Sequence, residues 1–426
     1  MGLAILLGVF LVSMLAGIPI AFALGVAALC AALVEGIPPL IVFQRMVAGM
    51  NIFSFLAIPF FIFAGELMMR GGIAMRLVQF ANALVGRLRG GLGVVNVLTS
   101  MLFGGISGSA VADTSALGSV LIPMMKEKGY DDDYAVNVTV TSSLAGVMVP
   151  PSHNMILYAL AAGGGISISS LFLAGVVPGV LMCVCLAVAA YIVAIKRGYP
   201  AEEFPGWPAV LASGLAALPG LMTAVVIIGG VISGIFTVTE SAAIGLIYAF
   251  LVTVFFYRSL SWQEFLTAVA QSIRTTAMVM ILIGTATSFA YFLALYQVPA
   301  LILAALLGIS DNPILLLLLI NISLLALGAF MDMGALILIC TPIFLPVVSA
   351  IGMDPVQFGM LLMMNLGLGL STPPVGACLF IGCSIGGVKM EQVVRSIWPF
   401  YLAVLVALLL VTFVPAISLT LPNLLR

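Results

Sequence analysis

Charge is scarce in this 426-residue chain: Asp, Glu, Lys and Arg together make up 7% of it, against roughly a quarter in ordinary soluble domains. So few charges cannot cover a water-exposed surface, which excludes a soluble globular protein. Histidine is nearly absent, with His153 alone, and the six cysteines (Cys30, Cys183, Cys185, Cys340, Cys378, Cys383) lie in apolar stretches without ligand spacing. Neither a metal centre nor a disulfide framework is indicated, and thiols so placed behave as small hydrophobes. An intramembrane enzyme would need a Ser/His pair or a metal-ligand cluster at usable spacing, and the sequence has neither. No Gly-x-x-x-x-Gly-Lys-Ser/Thr run occurs, so any energy input comes from a gradient rather than from nucleotide hydrolysis. The net charge of -1 and the lack of a basic stripe exclude a nucleic-acid partner.

What is abundant is apolar: 63% of the residues are hydrophobic. Runs such as 171–195, 211–231 and 398–421 are long enough to cross a hydrocarbon core of ~30 Å. The class is therefore an all-α integral membrane protein embedded in the lipid bilayer. The N-terminal apolar run lacks a basic leader region and continues past Pro19 to Val34, so it reads as membrane-spanning rather than as a cleaved signal.

An internal repeat organises the chain. A shift of 223 positions carries Pro123 onto Pro346, Gly129 onto Gly352, Asp131 onto Asp354, Gly146 onto Gly369 and Pro150-Pro151 onto Pro373-Pro374. Two units follow, residues 1–205 and 206–426. In the first, residues 92–125 are flanked by Arg87 and Arg89 before and by Lys126 and Lys128 after, so both ends read as cytoplasmic and the segment as a re-entrant hairpin. In the second, residues 314–349 have no basic flank and are bordered by Asp311 and Asp354, so both ends read as periplasmic. Asp131-Asp132-Asp133 run against this scheme, although acids contribute little to orientation. Opposed hairpins of this kind indicate an inverted-topology repeat.

Each hairpin is followed by a helix expected to be broken at its Pro-Pro pair, at 134–160 and 356–384. Crossings near 134–160, 171–195, 211–231, 241–257 and 275–296 separate the hairpins, an odd number as inversion requires, with Lys196, Arg197 and Arg258 on the cytoplasmic side. With N-terminal crossings, residues 53–69 and two spans after the second hairpin, the total is about ten spans plus two hairpins. Residues 73–88 and 262–274 are amphipathic and read either as helices lying along the interface, bracing a moving unit, or as short connectors.

Irregular backbone at membrane depth is tolerated only where it is buried in protein or lines a cavity, so the breaks are the functional candidates. The first hairpin tip, residues 104–115, is rich in glycine and hydroxyls and carries Asp113; the second, residues 328–334, carries Asp332 at the position that the shift pairs with Ser109. Proline cannot donate to the carbonyl four residues back, so Gly146 and Val147 in one copy, and Gly369 and Leu370 in the other, are expected to hold bare carbonyls. Hydroxyls of Ser107, Ser109, Ser143, Ser371 and Thr372 either complete a shell for a small hard cation, with Na+ the natural candidate, or bond the carbonyls themselves without an ion. An intramembrane acid points to function by default, and Asp113 has a second reading as a helix cap. Asn154 and Asn365, neutral donors, are candidates for a substrate carboxylate, whereas His153 reads as a core residue and Glu66 and Glu240 as solvated span ends.

Residues 103–158, with Gly104-Gly105-Ile106-Ser107-Gly108-Ser109, Ala112-Asp113, Ile122-Pro123, Gly129-Tyr130 and Val149-Pro150-Pro151-Ser152, resemble the large membrane subunit of the tripartite ATP-independent periplasmic (TRAP) transporters. The second half, with Ile343-Phe344-Leu345-Pro346-Val347 and Thr372-Pro373-Pro374-Val375-Gly376, is similar to the same family. The resemblance implies an elevator-type transporter of the bacterial inner membrane, with hairpins and broken helices forming a mobile transport unit against a scaffold. It implies sodium ligands at Ser107 and Gly108 with Gly146 and Pro150, and at Gly328 with Gly369, Thr372 and Pro373, and an ion and substrate region at Ser107, Ser109, Asp113 and Asp332. Two partners are implied as well, a small four-helix membrane subunit and a periplasmic substrate-binding protein that delivers an organic anion such as a C4-dicarboxylate or sialic acid. A stand-alone sodium- or proton-coupled carrier of the same fold is the alternative, and opposed hairpin tips favour alternating access over an open channel.

Overall fold

Backbone groups in hydrocarbon have no water to bond, and this chain meets that constraint with helices. The computed structural model describes residues 2–310 and 312–425, so Asp311, the acidic flank expected before the second hairpin, lies outside the described residues. The first half runs through α1 (Gly2–Leu15), α2 (Ile20–Val34), α3 (Pro39–Met50), a tight turn (Phe53–Leu56) that leads into α4 (Ala57–Arg70), and α5 (Ile73–Val85). A hairpin of α6 (Gly91–Ser107) and α7 (Ala110–Glu127) follows, then a helix broken into α8 (Asp132–Ser142), α9 (Ala145–Met148) and α10 (His153–Ala161), and then α11 (Ile168–Arg197). The second half comprises α12 (Trp207–Ile232), α13 (Val238–Leu251) with a wide final turn (Val252–Phe256), α14 (Trp262–Leu295) and α15 (Val298–Leu307). Its hairpin is α16 (Pro313–Gly328) and α17 (Met333–Ala350), its broken helix α18 (Pro355–Leu370) and α19 (Ala377–Gly386), and the chain closes with α20 (Met390–Ser396), α21 (Trp398–Phe413) and α22 (Pro415–Leu424).

The shift of 223 residues carries both ends of α7 onto those of α17 and the start of α8 onto that of α18, and it superposes the two cis Pro-Pro bonds. It also aligns α5 with α15, and α3 with α4 onto the single helix α14. The amphipathic stretch 262–274 is thus not a separate interfacial helix. It is the opening of the 34-residue α14, started by a capping box between Ser261 and Glu264 and ~50 Å long at 1.5 Å per residue. The first copy breaks at the matching place because Pro59 cannot donate to Phe55, whereas the second has Leu282 there. The run 398–421 is likewise divided: Val414 is extended ahead of Pro415, and α21 and α22 meet at a bend of 62°. Residues 2–34 form two helices turned at Gly17, in line with more than one N-terminal crossing.

Among the described residues six helices are long and apolar enough to cross a membrane, or eight if each bent pair is one span, against the ten or so expected. Part of the difference lies in the breaks, which divide crossings into shorter pieces, as with the 11 residues of α8 and the 9 of α10, and part in the short apolar helices α1 and α2, of 14 and 15 residues.

Polar contacts place both ends of the first hairpin on one side. Gly90 N–H donates to Pro200 O at 3.0 Å, Lys128 pairs with Glu202 at 3.2 Å, and Lys126 pairs with Asp132 at 3.1 Å. Arg197, at the end of α11, takes Asp131 at 2.8 Å and Asp133 at 2.7 Å. The acidic run that opposed the orientation scheme is therefore neutralised by the very cations that define the basic side. Lys126 Nζ also donates to Gly386 O at 2.8 Å, so α19 ends where α8 begins. On the other side the Tyr158 hydroxyl donates to Pro355 O, so α10 ends where α18 begins. The broken helices run in opposite directions past one another, which is the geometry of an inverted pair.

Candidate functional site

Each hairpin tip lies directly against the break of its following helix, and glycine makes the approach possible. A methyl added at Gly104 would meet Gly146 Cα at 2.7 Å, and one at Gly369 would meet the Gly328 carbonyl carbon at 2.5 Å. Backbones therefore touch at both crossings. Gly108 turns the first tip with φ of 63°, a conformation open to glycine at little cost, and packs on the Pro151 carbonyl, while Gly105 packs on that of Pro150. In the second copy Val375 N–H donates to Ala329 O at 3.2 Å, tying the tip to the segment that contains Pro373.

Hydroxyls and carboxylates are distributed around these crossings. The Ser107 hydroxyl donates to Asp113 Oδ1 and accepts from Ser109 N–H at 3.2 Å. Ser143 Oγ lies 2.8 Å from Thr114 Oγ1, joining the broken helix to α7. Ser371 and Thr372 hydroxyls each donate to Leu368 O at 2.8 Å. Gly369 O accepts from Thr372 N–H at 3.0 Å, so it is not bare as expected; the chain's turn into the break supplies the donor that proline lacks, and one lone pair is left.

Capping roles differ from expectation. Ser109, not Asp113, caps α7, accepting from Ala112 N–H at 3.4 Å. Asp332 is the cap of α17, accepting from Gly334 N–H at 2.9 Å. The two residues that the shift pairs thus do the same job, and Asp113 sits one turn deeper, wholly buried. Asn365 is also reassigned: its amide donates to Asn321 O and Oδ1, both at 2.9 Å, fastening α18 to α16 rather than facing a substrate. Its counterpart in the first copy is Ser142, 2.9 Å from Ser100 and 3.1 Å from Asn96, which fastens α8 to α6. Glu66 pairs with Arg70 at 3.3 Å, and Glu240 closes a capping box with Thr237.

Between the tips lies a cavity of about 580 Å³, within the usual range for small-molecule sites. Ser109 and Asp332 both line it, as do Asn154 and His153. His153, expected as a core residue, lines the cavity because it opens α10 just after the break. Thr275 on α14 also lines it; its only signal in the sequence is a Thr-Thr pair at the start of an apolar run, directly after Arg274. Three helix N-termini border the space, at Ala110 of α7, His153 of α10 and Met333 of α17. Among the described lining residues there is no Lys or Arg, and Asp332 is the one carboxylate. Apolar walls come from Phe22, Leu157, Met278 and Leu282.

Ser107, Gly108, Ser143, Gly146 and Pro150 thus gather at the first crossing, and Gly328, Gly369, Thr372 and Pro373 at the second. Among the described residues no cluster of three His, Cys, Asp or Glu side chains occurs. Carbonyls, hydroxyls and one buried carboxylate oxygen without a partner, Asp113 Oδ2, form a donor set that fits a small hard cation and not a soft metal.

Comparison with known proteins agrees with this architecture. The family model described as tripartite ATP-independent periplasmic transporter, DctM component, matches residues 7–417. The sialic acid TRAP transporter large permease protein SiaM of Vibrio cholerae is 40% identical, over 89% of this chain and 89% of that protein. The C4-dicarboxylate TRAP transporter large permease protein DctM of Rhodobacter capsulatus is 36% identical over the full length of both. Among solved structures, the YdaH transporter of Alcanivorax borkumensis is similar in fold, with a TM-score of 0.61 at 14% identity, covering 87% of each chain.

Proposed function

The chain belongs to the DctM-component family of tripartite ATP-independent periplasmic transporters, multi-pass proteins of the inner membrane, and from that premise we propose that it carries an organic anion inward, driven by a sodium gradient. A periplasmic binding protein delivers the anion, and a small membrane subunit completes the assembly. The observation that carries this reading is the cavity in which both hairpin tips meet. It holds no Lys or Arg among its described lining residues, so an anion there is held by the N-termini of α7, α10 and α17, each equivalent to roughly half a positive charge. The Ser109 hydroxyl and the Asn154 amide are the donors beside them.

Sodium, when bound at the two crossings, supplies the positive charge that the carbonyls and Asp113 lack. The chain's part is positional. Gly104 on Gly146, and Gly328 on Gly369, bring each tip against its break, so ordering of the crossings orders Ser109 and Asp332, which begin the helices that face the substrate. The polar fastenings of Asn365 to Asn321 and of Ser142 to Asn96 support a unit of two hairpins and two broken helices that moves as one body against α2, α4, α12, α13 and α14, in the manner of an elevator.

The relatives above carry sialic acid and C4-dicarboxylates by name, so both are the first substrates to test. Proteoliposomes holding this chain with its small subunit are given labelled sialic acid or succinate, each with its binding protein, under sodium or proton gradients. Uptake that needs both sodium and the binding protein is expected. Uptake driven equally by protons, or without a binding protein, overturns the corresponding part of the proposal.

A further inference from the structure

The two crossings are alike in backbone but differ in charge. At the first, Asp113 is 0% exposed, and no salt bridge reaches it among the described residues. Ser107 satisfies Oδ1. Oδ2 has no hydrogen-bond partner among the described residues, and it is turned to Gly146: a methyl there would lie 2.4 Å from Oδ2 and 3.3 Å from the Ser109 carbonyl carbon. The free oxygen thus reaches the place where the tip and the break touch. At the second crossing the shift puts Leu336 where Asp113 stands, buried to 1%, and Asp332 is drawn away as the cap of α17.

A buried carboxylate left without a partner is among the costliest arrangements in a protein, and in hydrocarbon it has no water to recruit. The free oxygen faces the Gly146 backbone, whose N–H is already given to Ser143 O at 2.9 Å, so a hydrogen-bond donor is not what the site prepares. A cation in contact with Oδ2 resolves the unpaired charge.

We propose that Asp113 supplies a charged oxygen ligand to a monovalent cation at the first crossing, which makes that site the tighter of two, the second being built from neutral oxygens. This rests on the reading of two sodium sites above. It assigns Asp113 to the ion rather than to the substrate, and it predicts that sodium fills the first site before the cavity is ready for its anion.

The test is a direct one on the purified chain, with no transport. Thermal unfolding is followed as sodium replaces choline at constant ionic strength, because a ligand that binds the folded state raises the midpoint in proportion to the logarithm of its concentration above its Kd. The wild type is expected to respond in two phases. Asp113→Asn, which keeps the shape and the Ser107 contact, is expected to weaken the tighter phase by more than tenfold while its midpoint in choline is unchanged or raised. Asp332→Asn is expected to leave that phase intact. Gly146→Ala, whose methyl blocks the space in front of Oδ2 without altering charge, is expected to remove the same phase, and it decides the matter should Asp113→Asn not fold. A tighter phase retained in either Asp113→Asn or Gly146→Ala overturns the assignment. A wild type with no sodium response at all overturns the underlying sodium reading instead.

Discussion

Gly369 offers the sharpest test of the crossings. A methyl at 369 would stand 2.5 Å from the carbonyl carbon of Gly328, 2.6 Å from its Cα and 2.7 Å from its oxygen, where ordinary contact begins at 3.4 Å. All three atoms are backbone, so no side chain can swing aside, and the second hairpin tip must retreat from the break by about 0.9 Å, the difference between contact and clash. Overpacking of this kind costs about 1–3 kcal/mol, partly offset by the 0.5–1 kcal/mol that Ala gains over Gly in a helix, so Gly369→Ala is expected to fold. Function is the larger loss, since a displacement of roughly 1 Å at a positioned site lowers rate by about a hundredfold. Two residues away, Gly367 has open surroundings, with Leu144 Cδ2 at 3.9 Å from its added methyl. Gly367→Ala is therefore a matched control, expected to transport normally and to gain about 0.5–1 kcal/mol. Sodium-driven uptake into proteoliposomes as a function of sodium concentration, beside thermal unfolding, reads both variants. Wild-type rate and sodium half-saturation in Gly369→Ala would refute the idea that the Gly328–Gly369 contact shapes an ion site.

Asp332 both caps α17 and faces the cavity, and the two roles separate by substitution: Asn caps as well as Asp, so Asp332→Asn should keep its stability and lose uptake, while Asp332→Ala should also lose about 1 kcal/mol. Normal uptake by Asp332→Asn would reduce this residue to a cap. Asn365→Ala leaves Asn321 O and Oδ1 without their 2.9 Å partner, at a cost of about 1–3 kcal/mol for buried unsatisfied groups; a lowered unfolding midpoint with unchanged substrate KM is expected, and a raised KM at full stability would return Asn365 to the substrate site.

How much of this was legible beforehand depended on whether the cause was local. The hairpins, the broken helices and the repeat could be read from residues because proline removes its own N–H, glycine permits its own turn, and hydrocarbon forbids charge wherever it occurs. Pro150-Pro151 and Pro373-Pro374 mark breaks in any context, and Arg87, Arg89, Lys126 and Lys128 mark a side of the membrane without reference to their partners.

What only the tertiary structure decided was assigned by contact between distant segments. Asp113 and Asp332 look equivalent as lone acids in glycine-rich tips, yet one is buried against Gly146 and the other caps a helix at the cavity, a difference set by which backbone lies opposite. Asn365 found Asn321 and not a substrate because α16 packs on α18. Thr275 and His153 reached the cavity only through the placement of α14 and α10. Sequence alone determined where the chain had to be irregular, since that follows from each residue's own bonding capacity; the fold decided which irregular pieces meet, since a site made of oxygens from two crossing backbones exists in neither segment by itself.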